Sequence, residues 1–268
     1  MAIDTLAPPT RTARRPAVAT APAALVVLAV VALAVAGRRH PTLVALATWL
    51  PALGRAMLVN IGISALAIAL GTLAGLVLGP LTLTLTLARL GIARIAARAY
   101  VQLFRNAPLL VLIYFSTYVF PFEVRLGHAS LPFPDWFKVT VGLALPASAN
   151  FAEIFRGAIQ SIPHAQWDAA RSLAFSRARV FRWIILPQCV RRMLPPWMNL
   201  YASITMATAL ASLVGVHDLL DTAQVASNTV ARADFTVVVY FTVLGLFFAY
   251  CYPIARFTRL LERRHAFH

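Results

Sequence analysis

Residues 153–187 read EIFRGAIQSIPHAQWDAARSLAFSRARVFRWIILP, a polar, arginine-rich insert between stretches that are otherwise strongly apolar. Within it Asp168, Ala169, Ala170, Ala174, Ile184, Leu186 and Pro187 stand at the spacing acidic-A-A-x3-small-x9-I-x-L-P. Residues 168–173 have a helix-compatible composition, with Asp168 and Arg171 one turn apart, so a short helix is predicted there. On it the paired Ala169 and Ala170 form a side-chain-poor surface that another protein can approach closely. Ser176 is placed to cap a second helix that begins at Arg177 and ends before Pro187. Two short helices joined by a tight turn would make a rigid knob on one face of a membrane.

The rest of the chain is built for lipid. Of its 268 residues 60% are hydrophobic and 12% charged, and the mean hydropathy is +0.75. A soluble domain has roughly 45–50% apolar and about 25% charged residues, so one water-soluble core could not hide this much apolar surface. The formal charge of +15 raises the possibility of nucleic acid as a partner. The arginines, however, cluster between hydrophobic spans, where lipid headgroups and topology account for them. Cys189 and Cys251 form neither a disulfide framework nor a metal-ligand spacing.

Measured against the roughly 20 apolar residues that cross the hydrocarbon, six spans are expected near 21–37, 57–79, 109–122, 139–159, 200–220 and 235–254. The third reaches full length only if its helix begins near Val101, with Arg105 and Asn106 at the water boundary. Pro80 and the alternating Thr82, Thr84 and Thr86 read as the kinked or frayed end of the second span, because an isolated strand in lipid would leave its backbone unpaired. With the arginine-rich insert in the cytoplasm, 18 of the 24 basic residues fall inside, which satisfies the positive-inside rule and places both termini inside. Residues 1–20 form a basic disordered lead. Residues 21–52 form an extra helix and linker, although Arg14 and Arg15 before an apolar run ending at Ala36 also fit a cleavable signal peptide. Residues 53–264 make the main domain, with the loop at about 160–197, and 265–268 are a tail.

Taken with the flanks AEIFRGAIQSIP at 152–163 and ALASLVGV at 209–216, the insert resembles the cytoplasmic coupling loop of ATP-binding cassette (ABC) importer permeases. The branch it is most similar to imports polar amino acids, and the resemblance covers about Leu53 to Arg264. It implies an all-α integral membrane protein with a five-helix core plus one amino-terminal helix, in a bacterial inner membrane. It implies Asp168, Ala169, Ala170, Arg171, Ala174 and Ser176 as the contact to a separate ATPase that binds ATP and magnesium. It also implies a solute-binding protein outside, a second permease subunit of the same or a sister kind, and no cofactor in this chain. Arg105 and Pro108 match the family's R-x-x-P-L-L element, with Pro108 suited to a first helical turn. Three departures stand out. Asp168 replaces Glu; Ala174 replaces Gly, which implies a turn that does not demand positive φ; and TMATAL at 205–210 replaces K-D-T-S-L, keeping Thr208 and losing both charges.

Glu153 is the candidate site inside the membrane. A carboxylate within a span costs about 2.5–3.5 kcal/mol on insertion scales, so it needs a partner. Arg156 one turn on and a substrate ammonium group are both open, with Ser148 and Asn150 on adjoining turns beside the pathway and Pro187 as a structural element. No G-x4-G-K-[ST] motif is present and Lys138 is the only lysine, so the chain has no P-loop with which to power transport. Its six histidines are scattered without a metal-ligand pair. An ion-gradient transporter or channel, an importer permease for another solute such as an opine, and a membrane scaffold are the alternatives.

Overall fold

The computed structural model describes residues 41–83, 91–126 and 129–265. The expected first span near 21–37 lies outside the described residues, as do Thr84 and Thr86. Helix α1 (Pro41–Thr82) is 42 residues and so about 63 Å long, longer than the 57–79 span because the preceding linker is helical too. Its N-terminal half packs Leu53, Ala56 and Met57 against Leu219, Ala223, Phe235 and Val239. Further along, Gly71, Gly75 and Gly79 recur every four residues on one face and let the backbone approach α4 (Asp135–Gln160). A methyl group on Gly75 would lie 2.8 Å from the Ser148 carbonyl oxygen and 2.9 Å from the Phe151 side chain. No other pair of described elements packs as extensively as α1 and α4.

The third span is not one unbroken helix from Val101. An amphipathic helix α2 (Gly91–Asn106) ends at Asn106, and a short α3 (Leu109–Val119) starts afresh with Pro108 at its N-cap rather than inside its first turn. The steric restriction on Ala107, which precedes a proline, breaks the helix there. Arg98 on α2 donates to the Thr82 carbonyl at 3.3 Å, closing an orphan acceptor at the end of α1. The fold is all-α as expected, with one small antiparallel hairpin between its helices: β1 (Glu123–Leu126) pairs with β2 (Ala129–Pro132) in the register Glu123 to Pro132. Beyond it, α4 is the most enclosed helix, touching α1, α2, α3 and the helix that follows the loop. At its N-terminal end the fully buried Lys138 donates to Asp135 at 3.1 Å and sits 3.8 Å from the Phe122 ring centroid.

After the short α5 (His164–Ser172), one long helix α6 spans Arg177–Val214. It does not stop before Pro187. Residues Val180–Ile185 form a π-helical turn immediately ahead of the proline. That wider turn absorbs the clash between the proline ring and the carbonyl four residues back, and the helix continues. A 3-10 segment, Thr208–Val214, ends at Gly215 with φ +85°, so the expected 200–220 span is cut at 215. Helices α7 (Leu219–Val230) and α8 (Ala233–His265) complete the described chain.

By length and composition α1, α6 and α8 can cross a membrane. The 26 residues of α4 give about 39 Å, long enough to cross as well. Its lower apolarity is tolerated because neighbouring helices, rather than lipid, cover it. With the α2–α3 pair these make the five-helix core.

Candidate coupling surface and intramembrane charge cluster

The coupling loop is built as two elements held to the membrane helices by side chains. Ile162 and Ala170 are buried among Phe155, Ile159, Val180 and Ile185. Gln188 on α6 donates to Gln166 Oε1 at 2.6 Å, and Arg192 donates to the Ser161 carbonyl at 2.6 Å and to its hydroxyl at 2.9 Å. A short helix could not hold its orientation alone; these bonds and the apolar face under it fix it.

The structure separates the two alanines that the sequence suggested as one surface. Asp168 and Ala169 are exposed, whereas Ala170 is only 3% exposed and points into the protein. Successive side chains are about 100° apart around the helix, and the buried face takes Ala170 while Asp168, Ala169 and Arg171 fall outside it. The outward face carries Asp168, Ala169 and Arg171, with the Asp168–Arg171 pair loose at 3.7 Å.

Ala174 corrects the sequence reading. Its φ is +56°, the left-handed conformation that glycine adopts without strain. The Ala174 amide donates to Arg171 O at 2.9 Å and the Phe175 amide to Ala170 O at 3.4 Å. That bond pair is a Schellman closure of α5, which requires a left-handed residue whatever its side chain. Ser176 takes the N-cap position ahead of Arg177, but its side chain makes no capping hydrogen bond.

Glu153 lies on the partly exposed side of α4, with its side chain 20% exposed. Arg156 grips it in a two-point pair, Nη2 to Oε2 at 2.6 Å and Nε to Oε1 at 3.1 Å. Arg105, at the end of α2, reaches the same carboxylate at 3.3 Å. Arg156 also donates to Gln160 at 2.8 Å. Arg156 was anticipated as a partner, whereas Arg105, 48 positions away, was singled out only within the R-x-x-P-L-L element and not as a partner of Glu153. One carboxylate between two guanidiniums leaves the cluster with an excess positive charge, and it ties the α2–α3 junction to α4.

The other polar candidates are spread apart. Asn150 is half-buried and donates to the Pro146 carbonyl at 2.8 Å. Ser148 is buried, bonded to Leu145 O at 2.7 Å and to the Tyr100 hydroxyl at 2.8 Å. Thr208 is fully buried at the start of the 3-10 segment, where it accepts from Asn60 Nδ2 at 3.0 Å. The same Asn60 amide donates to Asp218 at 3.1 Å, and Asn60 Oδ1 accepts from the Leu219 amide at 2.9 Å. Asp218 also caps α7 by accepting from the Asp221 amide at 2.9 Å. Burial pushes the Asp218 carboxyl up from its ordinary range, against the lowering effect of those hydrogen bonds. Sequence reasoning missed this network, because Asn60, Thr208 and Asp218 are joined only by folding.

Residues 71–266 match the family described as binding-protein-dependent transport system inner membrane component. The chain is 31% identical over 193 residues to the probable amino-acid ABC transporter permease YckA of Bacillus subtilis (strain 168), covering 72% of this chain and 81% of that one. It is also 31% identical over 169 residues to the octopine transport system permease OccM of Rhizobium radiobacter, covering 62% and 68% respectively. In fold it is similar to a chain in the crystal structure of an amino acid ABC transporter with histidines. The TM-score there is 0.71 at 23% identity, over 82% of this chain and 97% of that one.

Proposed function

We propose a function from one premise: the chain belongs to the family of binding-protein-dependent transport system inner membrane components, and is thus a permease subunit of an ABC importer. It is a multi-pass transport subunit rather than an enzyme. It imports an amino acid or a closely related small polar solute. The identity to YckA supports that substrate class. An opine is the second reading, supported by the identity to OccM. The cargo passes between this chain and a second permease subunit by alternating access, after delivery by a solute-binding protein on the outer face. ATP and magnesium are bound by the partner ATPase. Both termini lie in the cytoplasm.

The observation that carries the coupling role is α5, an exposed helix pinned from behind by Ala170, Gln166 and the α4–α6 bonds. Pushed by a partner, such a helix moves the ends of α4 and α6 with it. Asp168, Ala169 and Arg171 form its contact face, with Ala174 and Ser176 setting the turn behind. Of the pathway candidates, Glu153 and Asn150 are partly open and would face the cargo, with the buried Ser148 on the same helix, whereas Thr208 would act through its own network with Asn60 and Asp218.

The test is reconstitution with its cognate ATPase and binding protein, measuring uptake of labelled amino acids and opines into vesicles. ATP-dependent uptake of one of these classes is expected, and no uptake of any of them with intact ATP hydrolysis would refute the substrate assignment. Within that assay Glu153→Gln is expected to reduce uptake at least tenfold with the complex still assembled. If the carboxylate serves only Arg105 and Arg156, the same change lowers thermal stability instead, and Glu153→Gln combined with Arg156→Gln restores it.

A further inference from the structure

Where the coupling helix folds beneath the inner ends of α1 and α4, the chain encloses a cavity of about 490 Å³. Its walls are largely apolar, formed by Phe155 and Ile159 from α4, Trp167 from α5, Phe175 from the turn, and Val180 and Phe181 from α6. Two charged side chains line it, Arg171 and Arg177. Size and composition match a small-molecule site, apolar with a few oriented polar groups. Arg171 shares its charge with Asp168 only across 3.7 Å in a pair exposed on both sides, and such pairs hold weakly. Arg177 has no ion-pair partner among the described residues.

The next turn of α6 fixes the depth of this cavity. Trp183 is 73% exposed, and the Arg182 guanidinium lies 6.0 Å from its ring centroid. Tryptophan collects at the lipid–water boundary and arginine reaches from there to the headgroups. The cavity, lined by Arg177 to Phe181 just ahead of Trp183, therefore opens at headgroup height, in the cytoplasmic leaflet on the orientation given above.

We propose that this cavity binds an anionic phospholipid, with its phosphate against Arg177 and Arg171 and part of an acyl chain against Phe155, Phe175 and Phe181. Cationic pockets at the cytoplasmic ends of membrane helices favour anionic headgroups. A zwitterionic lipid would satisfy the apolar walls equally but offer the guanidiniums no net charge. Because the walls come from α4, α5 and α6 together, a bound lipid would brace the coupling helix from behind. The site rests on the orientation proposed above but not on the identity of the cargo.

The intact complex, purified with its ATPase, is titrated with phosphatidylglycerol or phosphatidylcholine of identical chains, and retained lipid is counted by native mass spectrometry. Phosphatidylglycerol is expected to be retained in preference. Arg177→Gln, which leaves the proposed ATPase contact face intact, should lower its retention about fivefold, equivalent to about 1 kcal/mol. Ala178→Trp, which fills the cavity from its wall, should lower retention of both lipids, whereas Arg179→Gln, outside the lining, should change neither. Equal retention of the two lipids, or undiminished phosphatidylglycerol in Arg177→Gln, overturns the proposal. So does a complex that retains no lipid, the result expected if an ATPase side chain fills the cavity.

Discussion

Of two adjacent alanines of α5 one is exposed and the other buried, and replacing each with arginine separates docking from folding. Ala170 is 3% exposed, in contact with a cluster that includes Phe155, Ile159 and Val180. An arginine there overfills a packed site at a cost of about 1–3 kcal/mol. Burying its guanidinium without a partner adds several kcal/mol more, as an order of magnitude. The sum approaches the roughly 5–15 kcal/mol that holds a typical protein folded. Ala170→Arg should accumulate poorly, and any purified protein should melt about 10 °C lower or more. Ala169 is exposed, so Ala169→Arg should change stability by no more than about 0.5 kcal/mol. The same substitution sets a long cation on the contact face, where a central interface residue is worth about 2 kcal/mol or more. ATPase capture should weaken about 30-fold. Co-purification of the ATPase on tagged permease, beside a thermal shift in detergent, reads both effects. A well-folded Ala169→Arg protein that assembles and transports normally would show that this face is not the dock. An Ala170→Arg protein with unchanged melting would refute the packing of α5.

Gly75→Ala forces α1 and α4 apart by a few tenths of an ångström and should cost about 1–3 kcal/mol, read as a lower melting temperature. Gly54→Ala, with nothing within 4 Å of the new methyl group, should be neutral or slightly stabilising. Ala174→Gly relieves a left-handed strain of about 1 kcal/mol, partly offset by greater freedom in the unfolded chain, so melting should rise by a few degrees at most. Ala174→Val should lower melting and weaken ATPase capture, because a branched side chain fits the left-handed region badly. Asp218 has a raised pKa, so the folded chain keeps its proton to higher pH than the unfolded chain does. Its contribution is therefore full below about pH 4, the unfolded carboxylate range, and is lost as pH rises through the folded value. Melting measured across pH 4 to 8 should decline less steeply in Asp218→Asn, and an unchanged slope would count against burial as the cause.

The loop residues were legible because they are close in sequence. The contact face at residues 168–171 and the second helix start at Arg177 lie close together in the chain, and local rules reach that far, although α5 begins at His164 rather than at Asp168. Those rules failed where two local signals competed. Alanine at 174 argued against a left-handed turn, yet the Schellman closure imposes one, since two backbone bonds of α5 outweigh a strain of about 1 kcal/mol. Pro187 argued for a helix end, yet a π turn carries the helix through it.

Composition and run length alone determined that this chain lies in lipid and where the polar loop interrupts its apolar stretches, because the transfer of apolar side chains from water depends on residue type and run length. Facing, pairing and enclosure were decided by tertiary structure. Arg105 meets Glu153 across 48 residues, Asn60 joins Thr208 and Asp218 across some 150, and Ala170 turns inward while Ala169 turns out. Each of these depends on how helices pack in space, and a contact between distant residues exists only once the intervening chain has folded.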